Sequence, residues 1–202
     1  MAATITAAAR SQIVYALIQE SVQAGTKPYL GVGIGPGTSS ATDVALFEES
    51  GNRTMGTSLY QNTTVTSGDT YTWIGTYNNT SSQTLTNIGL FQTQGIPVQG
   101  QLAQQVTSNS QSYILPTNYN AWPTSYPFNV QVSSEVMTVV SGDHYQTLYV
   151  LRGQNNSTSL TTIPASTWIT QSDTSMFVKT DFTGLSLNVG DQVVFTINVQ
   201  FQ

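Results

Sequence analysis

The most conspicuous residues with chemical potential are four glycines at alternating positions. The stretch GVGIGPGTSSATDVALFEES begins at Gly31 and has glycines again at 33, 35 and 37. A glycine-rich loop between a strand and a helix can present backbone N–H groups to a phosphate. The dinucleotide-binding pattern fails in both registers, because Pro36 or Thr38 occupies its third glycine position. No lysine follows as in the Walker pattern, so the glycines predict a strand end and a turn of small residues rather than a phosphate site.

Groups for acid–base or metal chemistry are sparse. The single histidine, His144, lies beside Asp143 in a predicted turn. Adjacent strand residues point to opposite faces, so Asp143 is badly placed to orient the imidazole. Glu48 and Glu49 are sequence neighbours, whereas glycoside hydrolysis needs two carboxylates that face each other. We therefore expect no enzyme, no catalytic residues and no cofactor. One histidine with scattered aspartates also predicts no metal site, although Ca²⁺ held by loop oxygens stays open.

The acidic residues after the glycines are predicted to have a structural role. Asp43, Glu48 or Glu49, and Arg53 follow one another closely in the sequence. Opposite charges at this spacing predict a local ion pair that fixes the segment in place.

The composition limits the partners. Only 7% of the 202 residues are charged, against roughly 25% in an average globular domain. The net charge of −5 leaves no basic patch for nucleic acid. A surface made mainly of Thr, Ser, Asn and Gln repels its own copies weakly, which favours close packing in an assembly. Adaptation to an extracellular setting is the alternative explanation.

Hydrophobic periodicity predicts an all-β fold with one helix. Residues 3–22 are Ala-rich, and Ile13 and Leu17, with Val14 and Ile18, form the predicted apolar stripe. Arg10 and Glu20 interrupt this segment, so it predicts no membrane span. Strands are predicted at 64–77, 134–151 and 191–201, with turns at SGD (67–69), SGD (141–143) and VGD (189–191). In the last strand one apolar face is predicted from Val193, Phe195, Ile197, Val199 and Phe201.

These patterns predict one domain over residues 1–202, a jelly-roll-like antiparallel β-sandwich with a short N-terminal α-helix. Residues 92–127 interrupt the strand pattern with Gln, Asn, Ser and Pro. A long surface loop is one interpretation; an arm or insertion that packs on another subunit is the other. The candidate subunit contacts within it are Leu115, Tyr119, Trp122 and Tyr126.

The order of short motifs resembles structural proteins of tailed bacteriophages. In that pattern an N-terminal helix leads to GxGxG, then Asp-x-Ala-Leu, an acidic residue, an arginine and a strand ending in IGLF. The matching residues here are Gly31, Gly33, Gly35, Asp43, Ala45, Leu46, Glu48 or Glu49, Arg53, Ile88, Gly89, Leu90 and Phe91. The resemblance covers residues 1–91 and, loosely, 185–202.

The resemblance implies a structural virion protein, made in the host cytoplasm, that assembles with copies of itself and other virion proteins at the tail, baseplate or fibre. A capsid-decorating protein is an alternative. Another is a module that binds a receptor or a host-surface glycan, in which exposed aromatic rings stack on sugars. Its candidate rings are Tyr113, Tyr119 and Trp122; Trp73 is predicted to lie in the core. A hydrolase is the least supported alternative.

Overall fold

The computed structural model describes residues 7–23, 27–65, 67–143 and 146–200. His144, Phe201 and the first residues of the predicted helix lie outside this part of the chain. The elements in order are α1 (Ala7–Gln23), β1 (Tyr29–Gly33), β2 (Glu49–Met55), β3 (Ser58–Asn62), β4 (Thr70–Asn78), β5 (Gln83–Phe91), β6 (Gln99–Gln101), β7 (Tyr113–Ile114), a 3-10 turn (Tyr119–Ala121), β8 (Phe128–Val132), β9 (Glu135–Gly142), β10 (Leu148–Gln154), β11 (Trp168–Gln171), β12 (Met176–Leu187) and β13 (Gln192–Gln200).

Three sheets contain these strands, and all strand pairs are antiparallel. The first sheet has the order β12-β5-β1-β2, the second β13-β4-β3, and the third β6-β11-β8-β9-β10-β7. The first and second sheets share one hydrophobic core, to which α1 contributes Val14. The third sheet has a separate core. The predicted antiparallel β-sandwich with a short N-terminal helix is therefore confirmed.

The third sheet is an insertion between two neighbouring strands of the first sheet. Strand β5 ends at Phe91, which pairs with Met176 of β12. Just beyond this pair, the Gln92 N–H donates to the Ser175 carbonyl at 3.0 Å. The chain therefore leaves the first sheet at β5, builds the third sheet, and returns beside its point of departure.

Residues 92–127 do not form an extended arm in the structure, and they are only part of the insertion. They supply β6 and β7, and their side chains cover one face of the third sheet. Leu102, Val106, Ile114 and Trp122 are all buried in its core. The physical reason is that one face of this sheet is apolar and must be covered. The aromatic and aliphatic residues spaced through residues 92–127 cover this face, so the cover comes from the same chain.

The two faces of the third sheet differ in chemistry. Strand β8 alternates Val130 and Val132, which are buried in the core, with Asn129 and Gln131 on the opposite face. Cross-strand partners share a face, so the pairing of Gln131 with Thr170, and of Gln101 with Trp168, extends this second face across β11 and β6. The second face is polar at this end of the sheet, and it faces the residues that follow the glycines.

Helix α1 lies against the first core through a face slightly rotated from the predicted one. Val14 is fully buried and Ile18 packs on the core, whereas Ile13 is 37% exposed. The side chain of Leu17 lies outside the described part. Val14 and Ile18 are four residues apart, so they satisfy helical periodicity as well as Ile13 and Leu17 do. Periodicity alone therefore could not choose between the two faces, and contact with the sheets decided which one is buried. Within the described residues, no helix is both long and apolar enough to cross a membrane.

The final strand and two of the predicted turns, at 67–69 and 189–191, are confirmed. The predicted turn at 141–143 is placed too early, because Ser141 and Gly142 belong to β9 and pair with Tyr149 and Leu148 of β10. Asp69 and Asp191 each accept hydrogen bonds from backbone N–H groups of their own turns, at Thr64 and Asn188. Gly68 and Gly190 adopt φ of 70° and 87°, which glycine tolerates best. Strand β13 alternates as predicted, with Ile197 buried at its centre.

Candidate functional site

The loop between β1 and β2, residues 34–48, is bound by side-chain amides from both sheets beside it. We call it the β1–β2 loop. Asn87, from β5, accepts from the Phe47 N–H at 3.1 Å and donates to the Phe47 carbonyl at 3.2 Å. Gln99, from β6, makes the same two-way contact with the backbone of Glu49, at 3.0 and 3.1 Å. A primary amide offers a donor and an acceptor, as a peptide group does, so these side chains act in place of a neighbouring strand.

Gln131 uses the full capacity of its amide at this loop. Its Oε1 accepts from the N–H groups of both Val44 and Ala45 at 2.9 Å. Its Nε2 donates to Asp43 Oδ1 at 2.7 Å and to the Ser133 carbonyl at 3.1 Å. Because Gln131 lies in the third sheet, the three bonds to Asp43, Val44 and Ala45 tie the inserted sheet to the loop of the first.

The glycines of β1 and the loop are required by close approach. A Cβ on Gly33 would lie 2.6 Å from the Phe47 carbonyl oxygen, and nearer still to the Asn87 amide. A Cβ on Gly31 would lie 2.6 Å from Glu49 Oε1 and 2.7 Å from the Phe91 ring. The alternating glycines therefore make space for groups of neighbouring segments, as predicted for a strand end that other parts of the chain approach closely.

The motif residues singled out in the sequence meet in one cluster. Gly31 and Gly89 are cross-strand partners on β1 and β5. The side chain of Leu46 reaches both, with methyl carbons 3.2 and 3.1 Å from the positions a Cβ would take there. Gly35 lies against the Phe47 backbone in the same way. The cluster also holds Asp43, Glu49, Arg53 and Phe91 through the ion pairs described next.

Arg53 is the centre of a buried ionic network. Its Nε donates to Glu49 Oε1 at 2.6 Å and its Nη2 to Glu49 Oε2 at 2.8 Å. Nη2 also lies 2.6 Å from Asp173 Oδ2, and Nη1 donates to the Thr93 carbonyl at 3.1 Å. The guanidinium carbon stands 3.4 Å from the centre of the Phe91 ring. Thr93 and Asp173 flank the insertion, so one side chain joins both of its ends to β2.

Burial sets the protonation behaviour of this network. Burial alone would lower the pKa of the Arg53 guanidinium, but Glu49 and Asp173 outweigh it and the pKa is raised. Burial raises the pKa of Glu49, and Arg53 offsets only part of that effect. The raised pKa of Arg53 favours its charged form, and the desolvation of the network is compensated by several hydrogen bonds.

A second buried pair joins the loop to β12. Lys179 Nζ lies 2.8 Å from Asp43 Oδ2 and donates to the Ala45 carbonyl at 2.7 Å. It also stands 3.2 Å from the centre of the Phe47 ring, a cation–π contact. Burial lowers the pKa of Lys179 to about 8, and Asp43 opposes that shift.

The predicted local ion pair is present in part. Glu49, not Glu48, is the partner of Arg53, and Asp43 pairs with Lys179 instead. Sequence reasoning missed Lys179 and Asp173, because both lie beyond the insertion and only the folded chain brings them near. The one signal for these pairs in the sequence was the small number of cations. A chain with only five Lys and Arg residues tends to place each cation against a carboxylate.

A third buried pair lies in the insertion and was not predicted. Arg152 binds both Glu135 oxygens at 2.6 Å and also donates to the carbonyls of Ser108 and Leu160. Each of the three networks is satisfied by protein groups, which indicates structural roles. Among the described residues, no group of three or more His, Cys, Asp or Glu is arranged to hold a metal ion.

A groove of about 540 Å³ opens between the β1–β2 loop and the polar face of the third sheet. We call it the junction groove, and Glu48, Gln101, Ser133, Ser166 and Trp168 are among the residues that line it. Trp168 donates a hydrogen bond to the Glu48 carboxylate, and burial raises the pKa of that carboxyl. Sequence reasoning missed this groove, because its walls come from segments more than 100 residues apart.

Backbone strain is concentrated at the junction groove. Glu48, Ser133 and Ser166 have φ of 53°, 57° and 63°, in the left-handed region. The other non-glycine residues with positive φ in the described ranges are Asn155 and Asn156, and asparagine tolerates this region well. For other residues the conformation costs about 1–3 kcal/mol each. Glycine would remove that cost, yet these positions keep side chains that reach the groove.

The candidate subunit contacts are distributed over the insertion. Leu115 and Tyr119 line a surface groove of about 600 Å³, and Tyr119 and Tyr126 line a smaller one of about 120 Å³. Trp122 is only 5% exposed and packs inside the chain's own core, so it is not positioned to contact another subunit or a sugar. Trp73 is fully buried as predicted.

Comparisons of this chain with known protein families, curated proteins and solved structures found no match.

Replacement of Gly33 by alanine tests the close approach at β1. The new Cβ must displace Phe47 backbone and the Asn87 amide, so Gly33→Ala is expected to lower the free energy of unfolding by about 1–3 kcal/mol. Gly95→Ala is the matched control, because nothing lies within 4 Å of its Cβ position. Urea unfolding measures both, and equal stability of the two variants would contradict the packing argument.

Removal of the Arg53 charge tests the network at the insertion. Arg53→Met leaves the Glu49 carboxylate buried without its cation and removes the cation from Asp173, which keeps its bonds from Ser175; this is expected to cost about 3–5 kcal/mol of unfolding free energy. Arg53→Lys keeps the charge but loses the planar fork, so an intermediate loss is expected. Urea unfolding at neutral pH is the measurement. An Arg53→Met variant within about 0.5 kcal/mol of the parent protein would refute this role.

The lowered pKa of Lys179 predicts a pH dependence of stability. Between pH about 8 and the ordinary value of 10.5, the unfolded chain binds this proton and the folded chain does not. The contribution of Lys179 to the free energy of unfolding therefore rises with pH across this window. The double variant Asp43→Asn/Lys179→Met lacks that contribution. Denaturant unfolding between pH about 7 and 10 compares the two proteins; parallel pH profiles would contradict the shift.

Proposed function

We propose that this chain is a structural protein of a tailed-virus particle, present in many copies and held by protein–protein contacts at the tail, baseplate or fibre. The observation that carries the proposal is a strip of four exposed apolar side chains that lie together on one sheet face of a chain with few charges. The motif order that resembles phage structural proteins supports it, since those residues form the cluster around Arg53. A capsid-decorating protein is the second candidate, supported by the same surface.

The apolar strip lies on the same face of the third sheet as Gln131, but at the other end of the sheet, near β10 and β7. Only the end near β6 and β11 is polar. Tyr149 pairs with Tyr113 across β10 and β7, so the two side chains share a face. Leu151 lies two residues further on the same face, and Val140 stands at the bulge beside them. Each of these four side chains is 41–52% exposed. Exposed aromatic and aliphatic groups on one sheet face are typical of surfaces that another protein covers.

The strip lies beside a sheet edge. Strand β7 is an outer strand of the third sheet and is two residues long. An outer strand offers unpaired N–H and C=O groups to a neighbouring chain. With few charges to repel a second copy, the strip and this edge together form a surface suited to association.

Disruption of the strip tests assembly. The parent protein is expected to form multimers through the strip. The double variant Tyr149→Ser/Leu151→Asp would place a carboxylate in that interface, and because a buried carboxylate without a partner is costly, these multimers should dissociate. Val194→Ser is the matched control, because Val194 is 65% exposed on β13 of a different sheet. Sedimentation equilibrium over a range of protein concentrations measures the assembly state. A parent protein that stays monomeric, or multimers that survive the double variant, would count against the strip.

Finding where in the virion this protein lies requires whole virus particles rather than purified protein. Antibodies raised against the chain are expected to label the tail in immunogold electron microscopy of the virus. Labelling of the head would favour the capsid-decorating candidate, and unlabelled particles would refute a virion role.

A further inference from the structure

We propose that the junction groove binds a neutral saccharide. This inference goes beyond the assembly role, because it concerns a different surface of the chain and residues that the apolar strip does not include. Four observations support it: the shape of the groove, its uncommitted polar groups, its charge and its strained backbone.

The groove has the dimensions and composition of a small-ligand site. Its volume of about 540 Å³ falls within the range of about 300–1,000 Å³ that such sites occupy. Trp168 is half-buried in its wall, so part of the indole is accessible. Aromatic rings bind the apolar C–H face of a pyranose, while hydroxyl and amide groups bind its edges.

Several polar groups in the groove are not used by the fold. Trp168 donates to Glu48, which leaves further lone pairs of that carboxylate able to accept from sugar hydroxyls. Gln101 lies directly across from Trp168 on β6, and its side chain makes no hydrogen bond within the described ranges. The hydroxyls of Ser133 and Ser166 are likewise uncommitted there. Gln131, in contrast, is fully occupied by the β1–β2 loop and the Ser133 carbonyl, so it shapes the site without binding.

The charge of the groove selects the ligand class. Among the described residues that line it there is one carboxylate and no lysine, arginine or histidine. An anionic ligand such as a phosphate or an acidic sugar would meet Glu48 without a compensating cation. A polyhydroxyl ligand without charge instead supplies the donors that a carboxylate requires. Glycoside hydrolysis uses two carboxylates, so one indicates binding rather than cleavage.

The strained residues place side chains where glycine would suit the backbone better. The turn from β8 to β9 has Ser133 at a positive φ, and Ser166 adopts the same region just before β11. Glu48 does so at the end of the β1–β2 loop. Strain retained at several residues of one cavity is typical of a site that holds its side chains ready for a ligand.

A glycan array with neutral and acidic oligosaccharides, followed by calorimetric titration of the strongest neutral binder, tests the proposal. The full chain is expected to bind neutral glycans saturably. Glu48→Gln, which preserves the shape of the side chain, is expected to weaken binding about tenfold or more. Trp168→Leu is expected to weaken it by a similar factor. Thermal unfolding of each variant verifies that it is folded.

The strip variant Tyr149→Ser/Leu151→Asp is the control, since it leaves the groove intact and should bind the same glycan as the parent protein. The groove variants should in turn retain the parent assembly state in sedimentation, which separates this proposal from the assembly role. No saturable binding to any neutral glycan, binding confined to acidic glycans, or binding that both groove variants retain would each overturn it.

Discussion

The buried guanidinium of Arg53 holds the place where the chain leaves the first sheet and returns to it. It binds Glu49 on β2, the Thr93 carbonyl at the start of the insertion and Asp173 at its end, and it stacks on Phe91. A cation in the interior is costly unless carboxylate and carbonyl oxygens accept from it. Arg53 makes four such contacts with groups from β2 and both ends of the insertion, so the network forms only when these segments are correctly placed.

The β1–β2 loop connects the strands around Arg53 to the third sheet and to β12. Loop backbone is expensive to bury, because its N–H and C=O groups lack a strand partner. Here the amides of Asn87, Gln99 and Gln131 replace that partner, while Lys179 and Asp43 add an ion pair from β12. Amides satisfy these backbone groups at a smaller desolvation cost than ions would.

The arrangement also separates two surfaces with different chemistry. On the polar face of the third sheet, the end near β6 and β11 meets the β1–β2 loop and leaves the junction groove. The end near β10 and β7 carries Tyr113, Tyr149 and Leu151, each 42–52% exposed. The proposed assembly and saccharide-binding roles therefore use opposite ends of one sheet face. A subunit packed on the strip would leave the groove accessible at the other end.

Local sequence patterns determined much of the architecture. Period-two alternation predicted β13, glycine–aspartate pairs predicted the turns at 67–69 and 189–191, and the alternating glycines predicted a strand end crowded by neighbours. These features depend on residues close in sequence, for which backbone sterics and side-chain alternation suffice. Gly31, Leu46, Arg53 and Phe91 were singled out together only by the motif order that resembles phage structural proteins, and the fold brings them into one cluster.

Only the tertiary structure decided how distant segments meet. It showed that the polar segment 92–127 folds over its own sheet and buries Trp122, because an apolar face needs cover that period-two patterns do not assign. It placed Asp173 and Lys179 beside Arg53 and Asp43 across more than 100 residues, and it brought Trp168 to Glu48. Charge pairing and cavity formation depend on distance in space, so residue order along the chain could predict that Arg53 needs a partner but not which one.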